Sequence, residues 1–211
     1  MPKRKADFGD DRPSKKAKRF GGSLGSQIAT KSYVRSQIKQ AVETKYYDVT
    51  QTDSPSTTAT ITQINSVAQG DGADDRSGNV IFANSVMIRG HVDVADTTNY
   101  VRVLLFVDGN SNGTAPTASN ILQVASDPKS PINIVNRHRF RVLRDMYFAV
   151  STYGPGSLDF KEFVKLGRLR MDFNDTDTTA RMNGLYVMTM SDSGAASHPA
   201  VKWYSRLRFT D

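Results

Sequence analysis

The first twenty residues carry the side chains that most clearly indicate a binding chemistry, because this segment holds eight lysines and arginines and only three aspartates. The basic residues are Lys3, Arg4, Lys5, Arg12, Lys15, Lys16, Lys18 and Arg19. With only Phe8 and Phe20 as large apolar side chains, the segment cannot bury enough apolar surface to fold alone. We therefore expect a disordered arm that binds a polyanion, since each lysine or arginine that neutralises a phosphate releases a condensed counterion.

Two clusters within this arm have the spacing of a bipartite nuclear localisation signal. The pair Lys3-Arg4 is followed, after ten residues, by Lys15, Lys16, Lys18 and Arg19. Two basic clusters on an extended segment suit the acidic grooves of host nuclear import receptors. The same residues can serve both import and phosphate binding, and the alternative is a nonspecific solubilising tail.

The excess of positive over negative charge is confined to the N-terminal part of the chain. Residues 1–45 carry twelve basic and four acidic side chains, whereas residues 46–211 carry sixteen basic and seventeen acidic ones. The absence of cysteine excludes disulfides and thiolate chemistry. No apolar run approaches the roughly 18 residues that span a bilayer. We expect a soluble intracellular protein with a basic tail, a near-neutral body and no membrane partner.

The elements that must present the arm begin with a hinge of glycines and serines at residues 21–26. Apolar residues at helical spacing then predict a short amphipathic helix over residues 30–43. Its basic residues Lys31, Arg35 and Lys39 either extend the nucleic-acid-binding surface or form a solvated face, and we count them with the former. The predicted division is an arm over 1–29, a helix over 30–43 and a β domain over 44–211.

From residue 44 onward, β-like runs alternate with clusters of Gly, Pro, Asn and Asp. Eight runs are predicted, at about 44–51, 58–67, 79–94, 99–108, 139–151, 159–173, 183–191 and 200–210. Eight short strands without helical crossovers predict an all-β, eight-stranded antiparallel jelly-roll sandwich. The connection between the fourth and fifth strands is too long for a plain loop, and residues 120–124 suggest one helical turn in it.

Three strands give more specific expectations about their faces. The last strand should bury Val201, Trp203, Leu207 and Phe209, with Lys202, Tyr204, Arg206 and Arg208 on the opposite face. The run at residues 100–107 is apolar on both faces, as expected of a strand inside a two-layer core. In the fifth strand, alternation places Arg144 on the same face as the apolar residues Phe140, Val142, Met146 and Phe148. A charged residue conflicts with that apolar face, and a bulge or pairing with Asp145 would resolve the conflict.

Candidate binding and metal sites in the body are weaker. Arg137, Arg139 and Arg141 share one parity, which suggests either a second phosphate-contacting patch or a solvated sheet face. Asp108 opens a loop that resembles a calcium-binding EF-hand loop, but Ser119 replaces the required glutamate, so a polar turn is favoured.

We predict no metal site, no cofactor and no catalytic residue. The three histidines are far apart, and neither a nucleophile motif nor a paired-carboxylate signature is present. A minor alternative is Ca²⁺ held across a subunit interface by the acidic loops with Asp71, Asp74, Asp75 and with Asp172, Asp175, Asp177.

Several short motifs, in order along nearly the whole chain, carry a family resemblance. They are Glu43-Thr44-Lys45-Tyr46-Tyr47-Asp48, Gln69-Gly70, Arg76-Ser77-Gly78 before the strand with Ile88, Val101-Arg102-Val103-Leu104-Leu105-Phe106-Val107-Asp108, and Arg139-Phe140-Arg141-Val142-Leu143-Arg144-Asp145. With the basic arm, they resemble the capsid proteins of small circular Rep-encoding single-stranded DNA viruses. The single jelly roll is similar to that of the satellite tobacco necrosis virus coat protein.

This resemblance implies a structural capsid protein of the virion that self-assembles into a small icosahedral shell of sixty copies. It also implies a single-stranded DNA genome bound by the arm and delivery to the host nucleus. Two alternatives within nucleic-acid binding stay open: an RNA-packaging satellite-like capsid, and a non-capsid nuclear shuttle β protein that remains a monomer or small oligomer. A carbohydrate-binding or enzymatic jelly roll would need an exposed aromatic binding face or a clustered metal site, and the sequence shows neither.

Overall fold

A computed structural model describes residues 30–41, 43–195 and 197–211, so the predicted arm and its eight basic residues lie outside the described residues. The chain divides into two units, residues 1–39 and 40–211, and each is considered by itself. Helix α1 spans Lys31–Ala41. The Oγ1 of Thr30 accepts a hydrogen bond from the Tyr33 amide at 3.2 Å, which satisfies one of the free donors at the helix start. No helix among these residues is long and apolar enough to cross a membrane.

Nine strands and two short helical segments follow α1 in the described part of the chain. The strands are β1 Lys45–Asp53, β2 Thr60–Gln63, β3 Val80–Asp93, β4 Thr98–Asp108, β5 Phe140–Ser151, β6 Ser157–Phe173, β7 Ala180–Met182, β8 Gly184–Ser191 and β9 Ala200–Thr210. Helix α2 spans Ala118–Ile121, and a 3₁₀ turn spans Ile134–Asn136. All eight predicted strands are present, and the three-residue β7 is an addition that the sequence pattern did not predict.

The strands form two antiparallel sheets with the connectivity of a jelly roll. The first sheet has the order β1-β9-β3-β6-β7, and the second has the order β2-β8-β4-β5. Strands distant in sequence become neighbours, as where β1 pairs with β9 and β2 with β8. This pairing confirms the predicted jelly-roll sandwich, with β7 as an extra edge strand beside β6.

The main core lies between the two sheets and follows the period-two alternation of the strands. In β9, Val201, Trp203, Leu207 and Phe209 are fully buried, and Lys202, Tyr204, Arg206 and Arg208 are exposed, as predicted. A side chain at Gly90 in β3 would collide with the backbone of β9 at Lys202 and Trp203. The sheet therefore needs glycine at this position.

A second apolar cluster packs on the opposite side of the second sheet. Leu104 and Phe106 of β4 point into it, whereas Val103 and Leu105 of the same strand point into the main core. This two-sided burial confirms the expectation for residues 100–107. The cluster is closed by the long connection over residues 109–139, which supplies Ile121 and Leu122.

Arg102 fastens this connection to the sheet. Its side chain is 1% exposed, and the guanidinium forms a paired contact with Asp145, through Nε at 2.8 Å and Nη2 at 2.7 Å. Nη1 also donates to the carbonyls of Pro128 at 3.1 Å and Ser130 at 2.6 Å. The buried charge is thus neutralised and hydrogen-bonded, which is what allows a guanidinium inside a core.

A bulge in β5 resolves the conflict at Arg144. Leu105 pairs with Arg144 and Phe106 with Val142, so Leu143 is left without a partner on β4. The bulge changes the face of the strand: Phe140 joins the outer cluster, whereas Met146 and Phe148 pack on the main core. The shared apolar face predicted for β5 is therefore wrong, because one inserted residue reverses the alternation. Arg144 pairs with Glu162 on β6 at 2.6 Å, and not with Asp145.

Buried polar groups tie the remaining elements together. The carboxylate of Asp53, at the end of β1, accepts hydrogen bonds from Trp203 Nε1 at 3.0 Å and Thr189 Oγ1 at 2.9 Å, and so joins the two sheets. Arg76 is fully buried and donates to the carbonyls of Val67, Gly78, Asp175 and Asp177. It therefore joins the loop before β3 to the loop after β6.

Candidate nucleic-acid interface

The predicted nucleic-acid-binding residues fall on the N-terminal part of the chain. Lys3, Arg4, Lys5, Arg12, Lys15, Lys16, Lys18 and Arg19 lie outside the described residues, as does the proposed localisation signal. Lys31, Arg35 and Lys39 lie on helix α1 at four-residue intervals, and Lys31 is exposed. The assignment of these eleven residues to nucleic-acid binding stays a prediction.

The β domain contains a second concentration of basic residues, on the outer face of the first sheet. Antiparallel pairing aligns the outward positions of β1, β9, β3 and β6 into four cross-strand ranks, which we call the basic face. The ranks are Thr52–Lys202–His91–Asp159, Thr50–Tyr204–Arg89–Lys161, Asp48–Arg206–Met87–Phe163 and Tyr46–Arg208–Ser85–Lys165. Strands far apart in sequence thus supply one continuous surface.

Positive charge dominates the basic face. Six of its positions are lysine or arginine, and two, Asp48 and Asp159, are carboxylates. Asp48 is paired with Arg206 through Nε at 2.8 Å and Nη2 at 2.6 Å. The hydrogen bond from Arg206 lowers the pKa of Asp48, and the same contact raises the pKa of Arg206. Both groups therefore stay charged at neutral pH.

Three large aromatic side chains stand exposed among these charges. Phe163 is 55% exposed, Tyr46 is 47% exposed and Tyr204 is 37% exposed. Cations lie beside two of the rings: Arg206 is 5.8 Å from the Tyr46 ring centre, and Arg89 is 5.9 Å from that of Tyr204. Proteins that bind single-stranded nucleic acids use exposed aromatic rings flanked by cations, because the bases stack on the rings and the cations contact the phosphates.

Two depressions separate the rings on this surface. One, of about 280 Å³, lies between Tyr46 and Phe163 and has Met87 on its lining. The other, of about 210 Å³, is bordered by Arg89 and Tyr204. Both are smaller than the roughly 300 Å³ at which pockets for small molecules begin.

The outer faces of the two sheets differ in what covers them. The second sheet is covered by the 109–139 connection, which closes the apolar cluster around Leu104 and Phe106. Within the β domain as described, no comparable layer packs on the basic face, whose arginines and lysines in β9 and β6 are exposed. The uncovered sheet surface is therefore the charged and aromatic one.

The other candidate sites of the body have structural partners. Strand β5 begins at Phe140, so Arg137 and Arg139 precede it and do not line one face of a strand with Arg141. Arg139 is paired with the buried Asp108, through Nε at 2.8 Å and Nη2 at 2.7 Å. The carboxylate of Asp108 also accepts from the Asn110 amide, so it builds the predicted polar turn.

The two acidic loops do not form a metal site within one chain. Among the described residues, no group of three or more His, Cys, Asp or Glu side chains is arranged to hold a metal ion. Arg76 instead connects the two loops by donating to backbone carbonyls of Asp175 and Asp177. The expectation of Ca²⁺ across a subunit interface concerns more than one chain and stays a minor alternative.

The sequence interpretation missed the basic face, although part of its signal was visible. The alternation Lys202-Tyr204-Arg206-Arg208 is present in the last strand. The neighbours of these residues come from strands more than 100 residues away, and only the register shows that Tyr46 and Phe163 share their surface. An exposed tyrosine within a basic strand face is the signal that could have identified the site.

The two antiparallel sheets form a jelly roll, and comparison with known proteins gives the family of this chain. Residues 14–211 match the family described as satellite tobacco necrosis virus coat protein. This chain belongs to that family, and it is therefore a viral coat protein, a component of a virion shell.

The chain is also similar to individual known proteins. The chain is 26% identical over 174 residues to the capsid protein of Satellite tobacco necrosis virus 1, covering 78% of this chain and 86% of that protein. Among solved structures, a protein of Desmodium yellow mottle tymovirus matches 81% of this chain and 87% of its own, with 9% identity and a TM-score of 0.41. A Bacillus endospore appendage protein matches 80% of this chain and 89% of its own, with 12% identity and a TM-score of 0.29. The family assignment rests on the sequence matches.

Proposed function

We propose that this coat protein assembles into a T=1 icosahedral shell of sixty copies and packages a circular single-stranded DNA genome through its basic arm. The observation that carries this proposal is the segregation of charge in a coat-protein chain, with twelve basic and four acidic residues before position 46 and a near-neutral body after it. Sixty chains with the eleven basic residues assigned to nucleic-acid binding bring about 660 positive charges, enough to offset several hundred phosphates. Cations or polyamines complete the neutralisation.

The proposed role is structural, without catalysis and without a resident cofactor. A shell subunit needs a rigid β domain and surfaces that bind other copies of itself. If calcium joined the acidic loops of neighbouring copies, a chelator would dissociate the particle. We expect particle mass to be unchanged by chelation.

Neutralising the second basic cluster tests the packaging role of the arm. In the variant with Lys15, Lys16, Lys18 and Arg19 replaced by alanine, we expect intact particles with less nucleic acid and a weaker salt dependence of binding. The control replaces Lys129 and Arg181, exposed cations of the body that lie outside the arm and the basic face. The proposal fails if the arm variant packages as much nucleic acid as the control.

Nuclear delivery by the bipartite signal is a separate part of the proposal. A fusion of the full chain to a fluorescent protein should accumulate in nuclei, and alanine at Lys3 and Arg4 together with Lys15 and Lys16 should leave it cytoplasmic. Binding of the chain to a purified import receptor gives the same comparison without cells. Unchanged nuclear accumulation of the variant would remove the import role from these residues.

The second candidate differs only in its genome: an RNA-packaging satellite-like capsid, which the match to a satellite virus coat protein favours. Assembly in the presence of equal amounts of single-stranded DNA and RNA of the same length decides between them. Nuclease treatment of the extracted cargo shows which polymer was taken up. Preferential DNA uptake is the expected result, and a clear RNA preference would replace the DNA proposal.

A further inference from the structure

We propose that the basic face of the first sheet is a second nucleic-acid-binding site, on which the rings of Tyr46, Tyr204 and Phe163 stack against unpaired bases. The inference deepens the proposed packaging function and rests on it. It changes the mechanism, because the arm predicts purely electrostatic binding, whereas this face adds contacts to the bases.

The exposure of the rings is the first argument. Large aromatic side chains carry a strong hydrophobic driving force for burial, yet Tyr46 and Phe163 each leave about half of their surface in solvent. They protrude from regular strands whose inward neighbours are well packed, so their exposure is not a consequence of local irregularity. Such a patch indicates a surface that is covered when the protein performs its function.

The spacing of the rings is the second argument. Strand separations of about 4.8 Å and a rise of about 3.4 Å per residue place the three rings roughly 12–16 Å apart. At that distance each ring would take a different base, with the depressions beside Met87 and Arg89 between them. Cations stand next to Tyr46 and Tyr204 in their ranks, and Lys161 and Lys165 flank Phe163 along β6, as required where phosphates alternate with bases along one strand.

Charge determines which partner fits. The core of an interface between two proteins is depleted in charged residues, whereas this face carries six cations against two carboxylates. Two copies of the face would repel each other in a symmetric contact. A polyanion is complementary to it, and a duplex would leave the rings unused because its bases are already stacked on one another. The chemistry therefore selects a single strand.

The direct test is photochemical cross-linking in assembled particles. The full chain is assembled with a single-stranded oligonucleotide that contains 5-iodouracil, irradiated, and analysed by mass spectrometry of its peptides. We expect cross-links at Tyr46, Tyr204 or Phe163 in addition to those in the arm. Particles that contain the oligonucleotide but give cross-links only within residues 1–41 would overturn this inference and leave the packaging function standing. Failure to form particles with cargo would instead contradict the packaging function.

Affinity measurements separate stacking from charge in the same full chain. Phe163→Ala should weaken binding of a short single strand about tenfold at every salt concentration without changing the salt dependence. Lys161→Ala should instead reduce the slope of log K against log salt by about 0.7. The matched control is Tyr153→Ala, which removes an aromatic ring that is 89% exposed on the turn between β5 and β6, away from the face.

Two results would reject the stacking mechanism. One is a loss of single-strand affinity in Phe163→Ala that is no larger than the loss in Tyr153→Ala. The other is an equal loss of affinity for a duplex of the same length, since a duplex has no free bases to stack. If Phe163→Ala prevents particle assembly and leaves single-strand affinity unchanged, the face is an interface between copies of the chain, and the inference is wrong.

Discussion

Replacing Arg102 by methionine should destabilise the β domain strongly, whereas the same replacement at Arg206 should have little effect. The two arginines hold an aspartate in nearly the same geometry, with Nε at 2.8 Å in both pairs and Nη2 at 2.7 Å to Asp145 or 2.6 Å to Asp48. Their surroundings differ: the Arg102 side chain is 1% exposed and the Arg206 side chain is 55% exposed. Because the hydrogen-bond geometry is nearly the same, a difference in stability between the two variants reports the effect of burying the ion pair.

The magnitude follows from the groups that lose their partner. Arg102→Met leaves the Asp145 carboxylate and the carbonyls of Pro128 and Ser130 without their donor. Breaking a buried ion pair costs about 3–5 kcal/mol. Because the Asp145 side chain is 28% exposed and can be rehydrated, we expect Arg102→Met to reduce the free energy of unfolding by the lower end of this range, about 3 kcal/mol. The connection over residues 109–139 should loosen first.

Chemical denaturation of dissociated subunits measures the effect. The single tryptophan of the chain, Trp203, is fully buried and its fluorescence reports on the core between the sheets. The double variant Arg102→Met, Asp145→Ala should be less destabilised than the sum of the two single variants, since neither partner then remains unpaired. Equal loss for Arg102→Met and Arg206→Met, or simple additivity in the double variant, would refute this reasoning.

Three further predictions concern other parts of the β domain. Gly90→Ala should sharply lower the yield of folded protein, because the new methyl group meets the backbone of Lys202. Overpacking of this kind costs about 1–3 kcal/mol of stability, and thermal unfolding measures the loss. Asp53→Ala should cost about 1–3 kcal/mol in denaturant unfolding, since Trp203 Nε1 loses its buried acceptor; Asp53→Asn, which keeps one oxygen, should lose less. The pKa of Asp211 is lowered because hydrogen bonds from Ser77 and Lys45 outweigh the opposing effect of burial. The Asp211 carboxylate thus contributes stability at pH values above the ordinary aspartate pKa of about 3.9, and this contribution is lost as the pH falls below that value. Asp211→Asn should therefore reduce the dependence of the unfolding free energy on pH in the acid range, as measured by denaturant unfolding at several pH values.

The strands could be predicted because each one is encoded locally. Alternation in β9 and the two-sided apolar run in β4 fix the buried faces without reference to any other element. The bulge at Leu143 could be suspected from the misplaced Arg144 but not located, because its position depends on the pairing of β5 with β4. The short β7 has too few residues to show a period.

The basic face lay beyond sequence reasoning for a different reason. Its ranks combine residues such as Tyr46 and Arg208, which lie in the first and last strands and become neighbours only when β1 pairs with β9. The arm, by contrast, is visible in sequence because its charge is contiguous. Local patterns therefore predicted the arm as a candidate binding segment, and the register of the sheet revealed the basic face.

The central claim is that the chain forms a nucleic-acid-containing shell, and the mass of the purified protein tests it most directly. Light scattering combined with ultraviolet absorbance on the same chromatographic peak measures particle mass and cargo together. We predict a species of roughly 1.4 MDa, about sixty copies of the 23.3 kDa chain, with absorbance in excess of that of protein alone. A monodisperse monomer or dimer at both low and high salt would contradict the shell and favour the nuclear shuttle protein.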